Sequence, residues 1–199
     1  MESEDLTKTL ETLKAISDLE LAIAELYRYF SEFRASEKDF WIALEEDEQK
    51  HARLVQKMGQ MLQDRKFFCA ANGAFNESAV TNLKNFVERH HRKLQKLEIP
   101  TDFKSLLSVA WNVEYSLSEM NYNNLFSIAE GDLESLLLTI TSETAVHRSK
   151  IGSKITVMRN SLPRSRHRVT PKGNPGVQGK VNPKAHTGKL TRTKPKIEV

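Results

Sequence analysis

Glu48-Gln49-Lys50-His51 puts a carboxylate and an imidazole three residues apart, and so on one face of the chain wherever that segment is helical. The periodic stretch before it carries Glu20, and the break between the two stretches falls near Ala35. Glu20 lies 15 residues before that break and Glu48 lies 13 after it. In an antiparallel helix pair the two carboxylates then stand at about the same height. A Glu on one helix and a Glu-x-x-His on its neighbour make half of the ligand set with which helical bundles hold two iron or manganese ions. By itself the step is weak evidence, because it arises readily by chance, and Glu45 to Glu48 also reads as a solvated acidic face.

Repetition raises its weight. Glu114 lies 29 residues before Glu143 and 33 before His147, against 28 between Glu20 and Glu48. Glu143 and His147 are four apart and again neighbours on a helix face. The spacing here is Glu-x-x-x-His, and Thr144 stands where the strict motif wants its carboxylate. The candidate metal ligands are therefore Glu20, Glu48, His51, Glu114, Glu143 and His147. Such carboxylates bridge and neutralise two hard ions and imidazoles complete the coordination, which suits iron, with manganese or zinc also compatible. Buried without a metal, four carboxylates would be costly unless protonated or hydrogen-bonded. At about 100° per residue, Glu25 points about 140° away from Glu20, so only one of them faces inward, and Glu119 stands in the same relation to Glu114. Tyr27, seven residues after Glu20, shares its face and is placed to hydrogen-bond a ligand carboxylate from behind or to be an ordinary core tyrosine.

The elements that must position these groups are long helices. Leu6, Leu10, Leu13, Ile16, Leu19, Ile23, Leu26, Phe30 and Phe33 follow one another in steps of three and four, which predicts one helix over 4–34. Ser36 with Asp39 reads as a short-armed capping box for a second helix over 37–66. Phe67 to Asn76 reads as a loop, and 77–97, rich in Lys, Arg and His, as a connector ending at Pro100. A third long helix is expected from the Thr101-Asp102 cap to about Glu130, where Gly131 breaks it, and a fourth from Asp132 to about Arg159. No strand pattern is evident. The expected fold is all-α: two antiparallel helical hairpins joined by a crossover helix, the connectivity of a ferritin-like four-helix bundle.

The net charge of +4 conceals a division at about residue 160. From Ser161 onward there are ten Lys or Arg and one acid, Glu198, while residues 1–160 carry a net −5. The same tail holds five of the six prolines and four of the eight glycines, and its few apolar residues stand singly. These features predict a helical domain over 1–160 and a disordered basic tail over 161–199. The tail would hold polyanions such as nucleic acid through phosphate contacts, without base stacking, since no aromatic residue is interleaved with its cations. Cys69 is the one cysteine and reads as a small buried hydrophobe, and His90-His91 as solvated residues. No disulfide framework is expected, nor any export signal or membrane span, so a cytoplasmic protein is expected.

Glu20 followed seven, nine and ten residues later by Tyr27, Tyr29 and Phe30 resembles the first-helix signature of the rubrerythrins, and Asp47-Glu48-Gln49-Lys50-His51-Ala52 resembles their second. Glu114-Tyr-Ser-Leu-Ser-Glu119-Met120 is more loosely similar to their third, which leaves Glu119 as a rival ligand. The resemblance covers about residues 4–160. It implies a ferritin-like bundle with a di-iron centre that reduces peroxide or dioxygen or oxidises iron, and such bundles commonly form homo-oligomers. The rubredoxin domain that supplies electrons in typical rubrerythrins needs four cysteines, and this chain has one. The competing expectation is a non-catalytic scaffold that works through its basic tail.

Overall fold

The computed structural model describes residues 3–64, 70–71, 75–120, 122–128 and 131–161. The first of two compact units, Met1–Pro163, contains all of them. The second, Arg164–Val199, lies outside the described residues, and with it the expectations about the basic tail. Cys69 falls outside them as well.

Among the described residues the regular structure is helical apart from one two-stranded ribbon. Five helices follow in order: α1, Ser3–Phe30; α2, Lys38–Gln63; α3, Glu77–Gln95; α4, Phe103–Met120; and α5, Asp132–Ser161. α1 buries Leu13, Ile16, Leu19, Ile23, Leu26 and Phe30, the same three-and-four stripe that predicts it. It runs antiparallel to α2. Ser17 Oγ donates to the Ala52 carbonyl (3.3 Å) and accepts from Gln56 Nε2 (3.0 Å), which fixes the register that brings Glu20 level with Glu48. α2 and α5 are also antiparallel, since Glu37 meets Lys154 while Asp47 meets His147 and Lys150. α4 packs on α5 closely enough that a methyl group on Gly152 would approach Trp111 Cζ3 to 3.0 Å. A side chain at 152 would require the Trp111 ring to give by a few tenths of an ångström.

One end of the core is aromatic. Trp41, fully buried, has ring centroids of Phe30, Phe40, Tyr27 and Phe103 at 4.9, 4.8, 5.8 and 5.9 Å. A fully buried phenylalanine such as Phe30 stabilises the fold by about 1.5–3 kcal/mol through burial alone.

The elements differ from expectation in four places. Ser36 caps nothing: 35–37 form a short 3-10 turn, and α2 starts from Glu37 with no side-chain cap. The segment over 77–95 is more than a connector, because Val80, Leu83, Val87 and Leu94 form a buried stripe packed against α1 and α4. Asn76 caps it, its Oδ1 accepting from Ala79 N. α4 is capped by Asp102 as expected, through Ser105 N, but it ends at Met120 rather than near Glu130. Asn121, Asn123 and Asn124 favour turns over helix, and 122–124 make a 3-10 turn. The fourth difference is the ribbon: β1, Ala70–Ala71, pairs antiparallel with β2, Phe126–Ile128, tying the α2–α3 connection to the α4–α5 connection. Runs of two and three residues are too short to show an alternating pattern. No described helix is long and apolar enough to cross a membrane.

Candidate metal centre

α1, α2, α4 and α5 each send polar side chains into the interior at one height. Glu20 is 1% exposed, and Glu48, His51 and Glu114 are 0% exposed, as deeply buried as the leucines around them. His147, at 1%, completes the group. Glu25 and Glu119, the out-of-phase neighbours, are exposed. Glu119 is therefore not a rival ligand: it lines a groove of about 590 Å³ between α3 and α4, on the other side of α4 from Glu114.

The buried groups form two triads. Glu20, Glu48 and His51 each offer a ligand atom within 4.8 Å of the others, and so do Glu48, Glu114 and His147. Glu48 belongs to both. Its Oε2 lies 3.0 Å from His51 Nδ1 and its Oε1 lies 2.9 Å from His147 Nδ1, and the two imidazoles stack with centroids 5.6 Å apart. One carboxylate thus stands between two nitrogen donors, with a further carboxylate on each side.

The hydrogen bonding leaves each outer carboxylate half satisfied. Tyr122 Oη donates to Glu20 Oε1 (2.8 Å), and Tyr27 Oη donates to Glu114 Oε1 (2.7 Å). Glu114 Oε2 is buried with no partner, and Glu20 Oε2 has none other than the neighbouring Glu48 carboxylate, with which a protonated Glu20 shares its proton. An orphaned buried polar atom costs about 1–3 kcal/mol. Such oxygens on facing carboxylates, beside two imidazoles, fit a set of donors directed at cations: five groups could hold metal through oxygen and nitrogen, the chemistry iron, manganese and zinc accept.

Without metal the electrostatics are opposed. Burial and the nearby Glu48 charge hold the Glu20 carboxyl well above the usual range, and the same two causes raise Glu114 to about 8. Burial also acts to raise Glu48, but hydrogen bonds from His147 and His51 outweigh it and keep Glu48 ionised well below the ordinary carboxylate range. Burial disfavours charge on His147, yet Glu48 and Glu114 overcome it and lift the ring to about 9. Tyr27 and Tyr122 are raised by burial and by the carboxylates they face, so both remain hydrogen-bond donors. Without metal, the surroundings favour charge on Glu48 and His147 and disfavour it on Glu20 and Glu114.

The expectation for Glu143 needs correction. It is not in either triad. Its Oε2 lies 3.0 Å from His51 Nε2, the nitrogen turned away from Glu48, and its Oε1 accepts from Lys50 Nζ. Asp47 does the same on the other side: its Oδ2 lies 3.0 Å from His147 Nε2 and 4.0 Å from Lys150 Nζ. Each histidine is thus held from behind by an acid of the opposite helix. In register Glu143 matches Asp47, and the counterpart of Glu48 is Thr144, buried, its hydroxyl donating to the Ile140 carbonyl (3.0 Å). The inward set contains three carboxylates, not four. Spacing alone favoured Glu143 because a Glu four residues before a His shares its face as readily as one three before.

Asp47 and Tyr122 were not singled out from sequence. Asp47 could have been, since Asp47-Glu48 and Glu143-Thr144 stand at equal distances before the two histidines. Nothing marks Tyr122, which reaches Glu20 only because α4 stops two residues earlier. The two grooves described along α1 and α2 are lined by residues other than those of the cluster. No protein-family model, curated protein or solved structure matches the chain.

Proposed function

We propose that this chain is a ferritin-like four-helix bundle, related in design to the rubrerythrins, whose α1, α2, α4 and α5 hold a pair of metal ions, iron foremost. The observation that carries the reading is Glu48: one fully buried carboxylate common to two Glu/His triads, each of whose outer carboxylates keeps an oxygen with no partner outside the cluster. Glu20 and His51 would hold one ion, Glu114 and His147 the other, and Glu48 both. When bound, an iron pair would supply one-electron redox steps coupled to peroxide or dioxygen.

The chain's own residues have definable parts in that. Asp47 and Glu143 accept from the outer nitrogens of His147 and His51, fixing each ring so that Nδ1 faces the interior. Tyr122 and Tyr27 orient the outer carboxylates by holding one oxygen of each. Glu20, Glu114 and His147 would give up their protons to hold metal, so loading would be coupled to proton release. The near-complete burial of Glu20, Glu48, Glu114, His51 and His147, at 0–1% exposure, keeps bulk water from them.

The test is metal content after expression with iron supplementation. Wild type carries iron through purification and Glu48→Ala does not. Wild type that emerges without iron, manganese or zinc, and takes up none on anaerobic titration, would contradict the reading. The +9 charge of residues 161–199 supports a further contact with nucleic acid or another polyanion, weakening steeply as salt rises because bound phosphates release counterions.

A further inference from the structure

We infer that the metal pair of this protein takes a small monovalent bidentate oxyanion from solution, a carboxylate or bicarbonate, as the second bridge between its ions. The inference rests on the metal reading above and follows from which residue is absent. Glu48 and Thr144 stand three residues before His51 and His147, on helices that face one another antiparallel. Glu48 is the bridge, reaching toward both histidines through its two oxygens. The group missing opposite it is therefore a bridge too, not a terminal ligand of one ion.

Thr144 does not replace it. Its hydroxyl is bonded within its own helix, to Ile140, and its side chain is shorter than a glutamate by a carboxyl-bearing arm. Charge points the same way. Two divalent ions bring four positive charges, and Glu20, Glu48 and Glu114 bring three negative ones, with both histidines neutral once they bind metal. A buried site left with a net positive charge is unfavourable, and one monovalent oxyanion with two donor oxygens supplies both the missing charge and the missing bridge.

At the seam between α2 and α5 the acids that contact the two histidines are partly exposed. Asp47 and Glu143 reach solvent there, their side chains 33% and 29% exposed, and each faces a lysine, Lys150 and Lys50. The lysines neutralise the two acids that would otherwise repel an incoming anion. Next to this rim stand the two stacked imidazoles, each in contact with Glu48.

The test titrates cobalt(II) into the full-length protein, in acetate and in chloride at matched ionic strength, following ion stoichiometry and affinity by calorimetry and visible absorption. Wild type should bind its second ion at least about tenfold more tightly in saturating acetate, with one acetate taken up per ion pair, as linkage requires. Thr144→Glu, which restores the bridge, should bind two ions in chloride, and acetate should change its affinity by less than about twofold. Circular dichroism checks that the variant is helical, and the wild-type comparison stands even if it is not. Two ions bound equally well by wild type in both media, or an acetate effect undiminished in a folded Thr144→Glu, overturns the inference, as does a single ion bound whatever the anion. If wild type binds no ion in either medium, the metal reading itself fails.

Discussion

The two helices that face each other across the site carry Asp47-Glu48-Gln49-Lys50-His51 and Glu143-Thr144-Ala145-Val146-His147. Both supply a buried histidine, and both supply an acid that holds the other helix's histidine from outside. They differ at one inward position, Glu48 against Thr144. The comparison teaches that residue type and residue register are separate signals. Glu143 has the right chemistry for a ligand and the wrong place for one, so it orients a ring instead. The asymmetry also separates the roles that substitutions should expose.

Glu48→Ala should have the largest effect, because Glu48 belongs to both triads: anaerobic titration should find both ions lost, a fall beyond the roughly 10–100-fold that outer-shell changes cost. Removing one histidine should be less severe. His147→Ala should leave the Glu20, Glu48, His51 triad with one ion, and His51→Ala should leave the other, as counted by metal analysis after desalting. Asp47→Ala and Glu143→Ala should each weaken binding by about 10–100-fold and by similar amounts, since they hold equivalent nitrogens. A Glu143→Ala loss as large as that of Glu48→Ala would place Glu143 among the ligands after all.

The next effect is on pH dependence. Glu114 is raised from 4.5 to about 8 and His147 from 6.5 to about 9. For both the folded value exceeds the unfolded one, so their stabilisation is complete below 4.5 and 6.5 respectively and is lost as pH rises through 8 and 9. Glu48 is lowered, so its contribution disappears only in acid. The melting temperature of metal-free protein should fall from about pH 7 to pH 9, and the rise in melting temperature on adding metal should grow over the same range, since metal competes with fewer protons. A metal-free melting temperature that climbs from pH 7 to 9 would mean that these groups are not buried together. Smallest of all, Glu119→Ala should leave metal binding unchanged and shift stability by no more than about 0.5 kcal/mol by denaturant unfolding, as for an exposed surface residue.

How far the sequence revealed this arrangement depended on the kind of signal. The buried stripe of α1 was legible because it repeats over many turns, and 100° per residue showed that only one of Glu20 and Glu25, and one of Glu114 and Glu119, faces inward, without saying which of Glu114 and Glu119 does. The burial of α3 was masked by its many Lys, Arg and His residues, which occupy the outer face of a helix whose inner face needs only Val80, Leu83, Val87 and Leu94. The end of α4 and the contact of Tyr122 with Glu20 depend on an asparagine-rich turn and on where the returning chain lands, and no local pattern encodes that. The partners of His51 and His147 required knowing that α2 and α5 are neighbours, a matter of topology.

The most direct test of the central claim, that Glu48 lies between two ions, is electron paramagnetic resonance of protein loaded with manganese(II) in the presence of acetate. Two ions sharing a carboxylate are only a few ångströms apart and exchange-coupled, so full loading should give the broadened multiline spectrum of a coupled pair, which Glu48→Ala should not produce. The six-line spectrum of isolated manganese at every loading, in a protein that nonetheless binds two ions, would contradict the account.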